Sequence, residues 1–355
     1  MIDLTIVLVL WDRGNYYDYY TRRWMSFAAK YLDKFNIIVA DGSGLEEIEN
    51  YFKNDLSIKK LNFRYIKYPK DQTYSDYFSK LSDSINKVET KYTILADDDD
   101  FYSYQGLEKS IEFLENNNDY VTCRGIIGEF QLTNNLELSS FYVPKLPVNS
   151  LIHNKAFDRY FGKLYKGSST FYDVHLTEFQ KKNFMILHEN NFIDFGVVEM
   201  IPEFLDVIEG KIGRINEIYL MRQIGNNNSS YQQSVKKSGG ILNRLAFGDF
   251  SHDLKIWANI ISKELAQKDN ISIKKSYDYI TELCIRKLQE DFEKVNLKNN
   301  NFDFRYLIKN YVKRNLLPTF ITKKLSSFKK NRELQYLINN NKLLNDINNH
   351  LIDLK

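Results

Sequence analysis

Residues Leu4 to Leu10 are apolar except for Thr5, and the run is bounded by the polar stretch Trp11-Asp12-Arg13-Gly14-Asn15. An unbroken apolar run of strand length between polar turns is the pattern of a strand buried on both faces. Helical spacing follows from about residue 16 to residue 32, and Asn36 to Ala40 reads as a second buried strand ending in Asp41-Gly42-Ser43-Gly44. Residues 45–54 again have helical spacing, Phe63 to Ile66 form a short third strand, and Asp76 to Val88 a third helix. Tyr92 to Ala96 is a fourth strand that runs directly into Asp97-Asp98-Asp99-Asp100. Strands alternating with helices predict an α/β fold whose sheet is parallel and whose crossovers are right-handed. The carboxyl ends of parallel strands share one edge, so Asp41 and the acidic run are predicted to line one crevice although more than fifty residues separate them.

The middle of the chain is less regular. Val121-Thr122-Cys123 and Ile126-Ile127 read as strand pieces, Pro144 and Pro147 break a loop, and Thr170 to Lys182 reads as a helix entered through Gly167-Ser168-Ser169. Ile218 to Met221 is strand-like and leads into a polar loop, Arg222 to Ser230, rich in Asn. From about residue 240 the pattern is helical. The composition shift near Gly239-Gly240 is expected to divide the chain into an α/β unit, 1–238, and a helical, basic C-terminal region, 239–355.

Composition narrows the class. With 355 residues the chain can bury a large core without staples, and 15% aromatic residues argue against disorder. The two cysteines, Cys123 and Cys284, offer neither zinc-type spacing nor a disulfide framework, which suits a reducing cytoplasm. The N-terminus has no basic stretch ahead of its apolar run, and nowhere do about 20 apolar residues follow one another, so neither a signal peptide nor a membrane span is expected. The net charge of +3 hides an asymmetry: residues 301–355 hold 11 Lys/Arg against 4 Asp/Glu, and from Arg305 to Arg332 there are nine basic residues and no acid. Pro318 to Arg332 can form a helix with Phe320, Ile321, Leu325 and Phe328 on one face and basic residues on the rest. That pattern fits docking at an anionic membrane surface, or a packing or oligomerisation element.

The acidic run carries the chemistry. Four adjacent carboxylates repel one another unless a cation or strong donors compensate, and hard oxygen ligands suit Mg²⁺ or Mn²⁺ carrying a phosphorylated substrate. The alternative is a solvated acidic turn that merely ends a strand. No Walker or dinucleotide glycine loop and no nucleophile elbow occurs, and the five histidines lack metal-ligand spacing.

Taken together, strand-Asp41-Gly42-Ser43, strand-Asp97 to Asp100, the Asp173 region and the Arg222 segment resemble the family 2-like glycosyltransferases of the GT-A fold over roughly residues 3–230. The resemblance implies a mostly parallel sheet flanked by helices. It implies that Asp41 hydrogen-bonds the base of a nucleotide donor, and that Asp97 and Asp99 engage the ribose and a divalent ion on the diphosphate. Asp98 or Asp100 can take those roles instead, because four consecutive Asp leave the register open by one residue.

The family's general base corresponds to Asp173 in Tyr172-Asp173-Val174-His175-Leu176, where Tyr172 departs from the usual first acid; Glu178 and Glu129 are the alternatives. Arg222 corresponds to an arginine that folds over the donor diphosphate, and bidentate donation suits it to phosphate. Ile224 stands near where relatives often carry a His. Lys80 reads as a surface lysine, with phosphate contact as the other option. The expected activity is metal-dependent, inverting hexosyl transfer from a nucleoside diphosphate sugar to a glycan or lipid-linked hydroxyl in bacterial surface glycan synthesis. A cytoplasmic enzyme at the inner face of the membrane, with Mn²⁺ or Mg²⁺ and no nucleic acid partner, follows from that expectation. A nucleotidyltransferase and a non-catalytic glycan- or polyanion-binding protein are the competing readings.

Overall fold

A computed structural model describes residues 2–12, 17–133, 138–167, 169–190, 192, 195–224, 249–300 and 342–353. The loop after Ile224, the Gly239-Gly240 boundary and the basic helix expected at 318–332 lie outside the described residues.

The chain opens with β1 (Leu4–Leu10), α1 (Tyr17–Tyr31), β2 (Asn36–Asp41), α2 (Glu46–Asn54), β3 (Phe63–Lys67), α3 (Tyr74–Asn86) and β4 (Tyr92–Asp97). These are the alternating elements expected from the pattern. Helix α3 starts where Thr73 and Asp76 form a reciprocal capping box, two residues before the expected start. Then come β5 (Phe101–Tyr102), α4 (Tyr104–Asn116), β6 (Tyr120–Leu132), β7 (Leu138–Tyr142), α5 (Ala156–Lys166), β8 (Val174–Leu176), α6 (Thr177–Glu189), α7 (Phe195–Glu209) and β9 (Lys211–Gln223). Beyond these lie α8 (Asp249–Asp269), α9 (Ile273–Asn300) and α10 (Lys342–Asp353).

One sheet runs in the order β3-β2-β1-β4-β8-β6-β9-β5, with β7 added to β6. Its long ladders, β1 with β2 and β4, β2 with β3, and β6 with β9, are parallel. The short β8 is antiparallel to both neighbours and joins the two halves. This α/β sheet, parallel in its long ladders and flanked by helices, is the expected class.

Two strand pieces around residue 124 belong to one strand, β6, whose register against β9 shifts between Arg124 and Ile127. Gly125 sits at that irregularity because a Cβ there would lie 2.0 Å from Glu217 O. The helix expected over 170–182 is corrected to a turn, strand β8, and then α6. Val174 and His175 pair with β6, and His175 and Leu176 pair with β4, so the sheet claims the backbone groups that a helix would have used.

Strand alternation divides the core. Leu4, Ile6, Leu8 and Leu10 face α1, α2 and α4, while Val7 and Val9 lie in the layer built by α3, α5, α6, α7 and α8. Trp257, Ile261 and Leu265 of α8 complete the second layer, and Leu343, Ile347 and Leu351 of α10 are buried in the first. Among the described residues no helix is long and apolar enough to cross a membrane.

Candidate active site

In the register of the sheet Leu10 of β1 stands beside Asp41, and Val9 beside Asp97. The two carboxylates therefore flank the same end of β1, as strand order leads one to expect.

Asp41 is buried and oriented from two sides: Ser43 N donates to Oδ1 at 2.9 Å and Tyr65 Oη to Oδ2 at 2.5 Å. Burial and the Asp41 charge push the Tyr65 phenol far up, so it stays a donor. Behind this turn Leu10 O accepts from Gly42 N at 3.0 Å and from Lys80 Nζ at 2.7 Å. Lys80 is not the surface lysine expected. It is 2% exposed and paired with Asp71, whose backbone N donates to Gly42 O at 2.9 Å. Burial pulls the Lys80 ammonium down and the Asp71 carboxyl up, and each restrains the other.

This packing leaves no room at Gly42, where a Cβ would lie 2.5 Å from both Asp71 carboxylate oxygens. Gly42→Ala is expected to cost roughly 1–3 kcal/mol by overpacking. The loss should appear in thermal unfolding, because Asp71 is tethered by Lys80 and cannot step aside.

The acidic run forms a turn after β4. Carboxylate oxygens of Asp97, Asp99 and Asp100 lie within 4.8 Å of one another. Tyr172 Oη donates to Asp97 Oδ2 at 2.5 Å, Thr21 Oγ1 to Asp98 Oδ2 at 3.0 Å, and Gln223 N to Asp100 Oδ1 at 3.0 Å. Arg222 Nε reaches Asp100 Oδ2 at 3.3 Å, and its guanidinium lies 5.1 Å over the Tyr172 ring. Burial first, and then the Asp99 charge, hold the Asp100 carboxyl well above the ordinary range. The turn is thus a hydrogen-bonded, partly buried cluster and not a solvated strand end. Tyr172, which departs from the family's pattern, serves Asp97 as a hydrogen-bond donor.

Asp173, the base expected from the sequence, lies deep in the fold. This residue is 0% exposed, ion-paired to Arg124 Nε at 2.9 Å and Arg214 Nη1 at 2.7 Å, and it accepts from Thr122 Oγ1 at 2.8 Å. Burial and the neighbouring Arg214 charge bring Arg124 down to about 10, and Asp173 is the shared counterion of the two buried arginines. Glu178 lies at the opposite edge of the sheet, since β8 runs antiparallel and Leu176 pairs with Tyr92 at the start of β4. Glu129 is exposed and stands beside Arg222 in the β6–β9 ladder.

A carboxylate overlooked in the sequence lies on α7. Glu199, Glu203 and Asp206 follow one another at helical spacing along this apolar helix. Glu203 accepts from Lys163 Nζ at 2.6 Å and Thr170 N at 3.2 Å, and Asp206 from Thr170 Oγ1 at 2.6 Å and Asn183 Nδ2 at 2.8 Å. These contacts lay the face along the segment that leads to Tyr172. Glu199, one turn earlier and half-buried, is pushed up to about 8 by burial and by the charges of Glu203 and Asp97, with Arg222 opposing. The signal was available as an acidic i, i+4, i+7 series in a helix that otherwise reads as core.

Residues 7–181 match the model of the family described as Glycosyl transferase family 2. The crystal structure of S. aureus TarS 1–349 is similar with a TM-score of 0.47 and 10% identity, covering 80% of this chain and 71% of that one. Its complex with UDP-GlcNAc gives 0.48 and 12% over 80% and 72%, and its complex with UDP gives 0.41 and 13% over 75% and 72%. No curated protein sequence matches the chain.

Proposed function

With residues 7–181 forming a glycosyl transferase family 2 domain, we propose that this glycosyltransferase moves a sugar from a nucleoside diphosphate donor to an acceptor hydroxyl, with inversion and with the help of a divalent cation. The observation that carries this reading is the cluster of Asp97, Asp99 and Asp100 at the end of β4, on the same sheet edge as Asp41. The donor set is all carboxylate oxygen, and the repulsion that raises Asp100 is what a hard cation relieves, so Mn²⁺ or Mg²⁺ fits Asp97 and Asp99. Such an ion would neutralise charge on the departing diphosphate.

The chain's own residues do the rest. Asp41, fixed by Ser43 and Tyr65, offers its remaining acceptor capacity to the N–H of a base. Asp98, held by Thr21, is assigned to the nucleoside. Arg222 keeps 46% of its side chain exposed while paired to Asp100, so it can swing its fork to the phosphates. Glu199 is assigned as general base in place of Asp173. It accepts the acceptor's proton as that oxygen attacks the anomeric carbon, and nucleoside diphosphate leaves with the electrons of the broken bond. Tyr142, opposite Glu129 in the β6–β7 ladder and 63% exposed, offers a ring on which a glycan acceptor can stack. Glu199 and Arg222 lie beyond the family-matched segment, so the role of Arg222 rests on its contact with Asp100 and that of Glu199 on its place on α7 and its electrostatic coupling to Asp97.

Incubation with a panel of nucleoside diphosphate sugars and no acceptor tests the reading. Slow, Mn²⁺- or Mg²⁺-dependent release of nucleoside diphosphate, stopped by chelator, is the expected result. Release of pyrophosphate from a nucleoside triphosphate would instead indicate a nucleotidyltransferase, and neither release would indicate a binding protein.

A further inference from the structure

Helix α10 returns to the catalytic edge of the sheet. Leu343, Ile347 and Leu351, four residues apart, are buried in the first core layer. His350 Nε2 donates to Arg23 O at 3.0 Å, and its ring stands edge-on to Phe27 at 5.6 Å and Phe101 at 6.3 Å between centroids. Tyr31 Oη, also on α1, donates to Asp346 O at 3.3 Å. What α10 grips is therefore helix α1, together with the ring that directly follows Asp100.

Helix α1 in turn holds the acidic turn. Arg23 is 1% exposed, and its guanidinium lies 5.0 Å over the Phe101 ring. Its Nη2 donates to Asp99 O at 3.4 Å and to Gln223 Oε1 at 2.9 Å. Two residues earlier, Thr21 donates to Asp98 Oδ2, and Gln223 N completes the circuit by reaching Asp100 Oδ1. One buried side chain thus ties the backbone of the acidic turn to the end of β9 that carries Arg222.

We infer that Arg23 is a positioning residue for the acidic turn, and that α10 is the clamp that seats it. The functional meaning of the inference rests on the acidic turn being the donor site. Arginine suits the task because its planar fork serves two acceptors at once and stays charged when buried. The side chain fixes the geometry of the turn, while His350 and the apolar face of α10 hold its helix in place.

Hydrogen exchange read by mass spectrometry on the full chain, without ligand, tests the clamp. His350→Ala and Arg23→Lys should each speed exchange roughly tenfold in peptides covering residues 97–103 and 219–224, as expected for losing about one net hydrogen bond. Peptides covering residues 36–44, around Asp41, should keep the parent's rate. Ile261→Ala, in the other core layer, controls for general destabilisation and should leave the acidic turn alone. Unchanged exchange at 97–103 in both variants, or equal acceleration by Ile261→Ala, overturns the inference. Mn²⁺ titration of the same proteins separates the two levels of the argument: a parent that binds no Mn²⁺ strikes the donor-site reading, whereas exchange alone judges the clamp.

Discussion

Replacing Asp97 and Asp99 together by Asn is expected to abolish sugar transfer while leaving the fold intact. The pair is assigned to the cation, and losing several kcal/mol of charge stabilisation in the transition state corresponds to a fall in turnover of roughly 10³-fold or more. Stability should hold or rise, because the cluster stores repulsion: Asp100 is held well above its ordinary range by burial and by the charge on Asp99. Asn at 97 still offers an oxygen to Tyr172 Oη, so the local hydrogen bond survives. Turnover, Mn²⁺ affinity by calorimetry and thermal unfolding should be measured together. Activity within tenfold of the parent in the double variant, or full activity of the parent in excess chelator, would sink the metal assignment.

Glu199→Gln and Asp173→Asn are expected to fail in different ways. The first keeps shape and removes the proton acceptor, so kcat should fall by roughly 10²–10⁴ with donor KM little changed. The parent's rate should climb with pH and level off above about 8, and that inflection should vanish in Glu199→Gln. The linkage has a definite sign. Because the folded value lies above the ordinary 4.5, Glu199 contributes its stability below pH 4.5 and loses it as pH rises through about 8. The glutamine variant should therefore be the more stable protein at the alkaline end of that window.

Asp173→Asn instead strips Arg124 and Arg214 of their counterion inside the core. Breaking a buried pair in this way costs on the order of 3–5 kcal/mol, so the melting temperature should fall steeply. A well-folded Asp173→Asn protein with intact donor binding and no turnover would return the base role to Asp173. Parental turnover in Glu199→Gln would remove it from Glu199.

The difference between those two carboxylates shows where sequence pattern stops informing. Asp173 reads as a helix-start acid because Thr170 to Lys182 has helical spacing, but the gap between β4 and β6 is filled by Val174 to Leu176. That places the aspartate among buried arginines contributed by β6 and β9. Nothing local to residue 173 announces partners 41 and 49 positions away. Lys80 was obscured in the same manner: a lysine on an amphipathic helix reads as solvated, and only the position of Asp71 and Leu10 O turns it inward.

What the sequence determined by itself is what depends on near neighbours. Unbroken apolar runs and period-3.6 patterning set β1 to β4 and their helices, and the parallel connection that follows puts Asp41 and Asp97 on one edge before any coordinates exist. Four consecutive Asp announce a charge that must be compensated. Tertiary structure alone decided the compensation: Tyr172 on Asp97, Arg222 on Asp100, Thr21 on Asp98, and Arg23 on the backbone of Asp99. It also brought a helix more than three hundred residues from α1 to rest against it. Hydrophobic burial is non-directional and cares only that Leu343, Ile347 and Leu351 find an apolar face, so the pattern states that α10 must pack and leaves where to the rest of the fold.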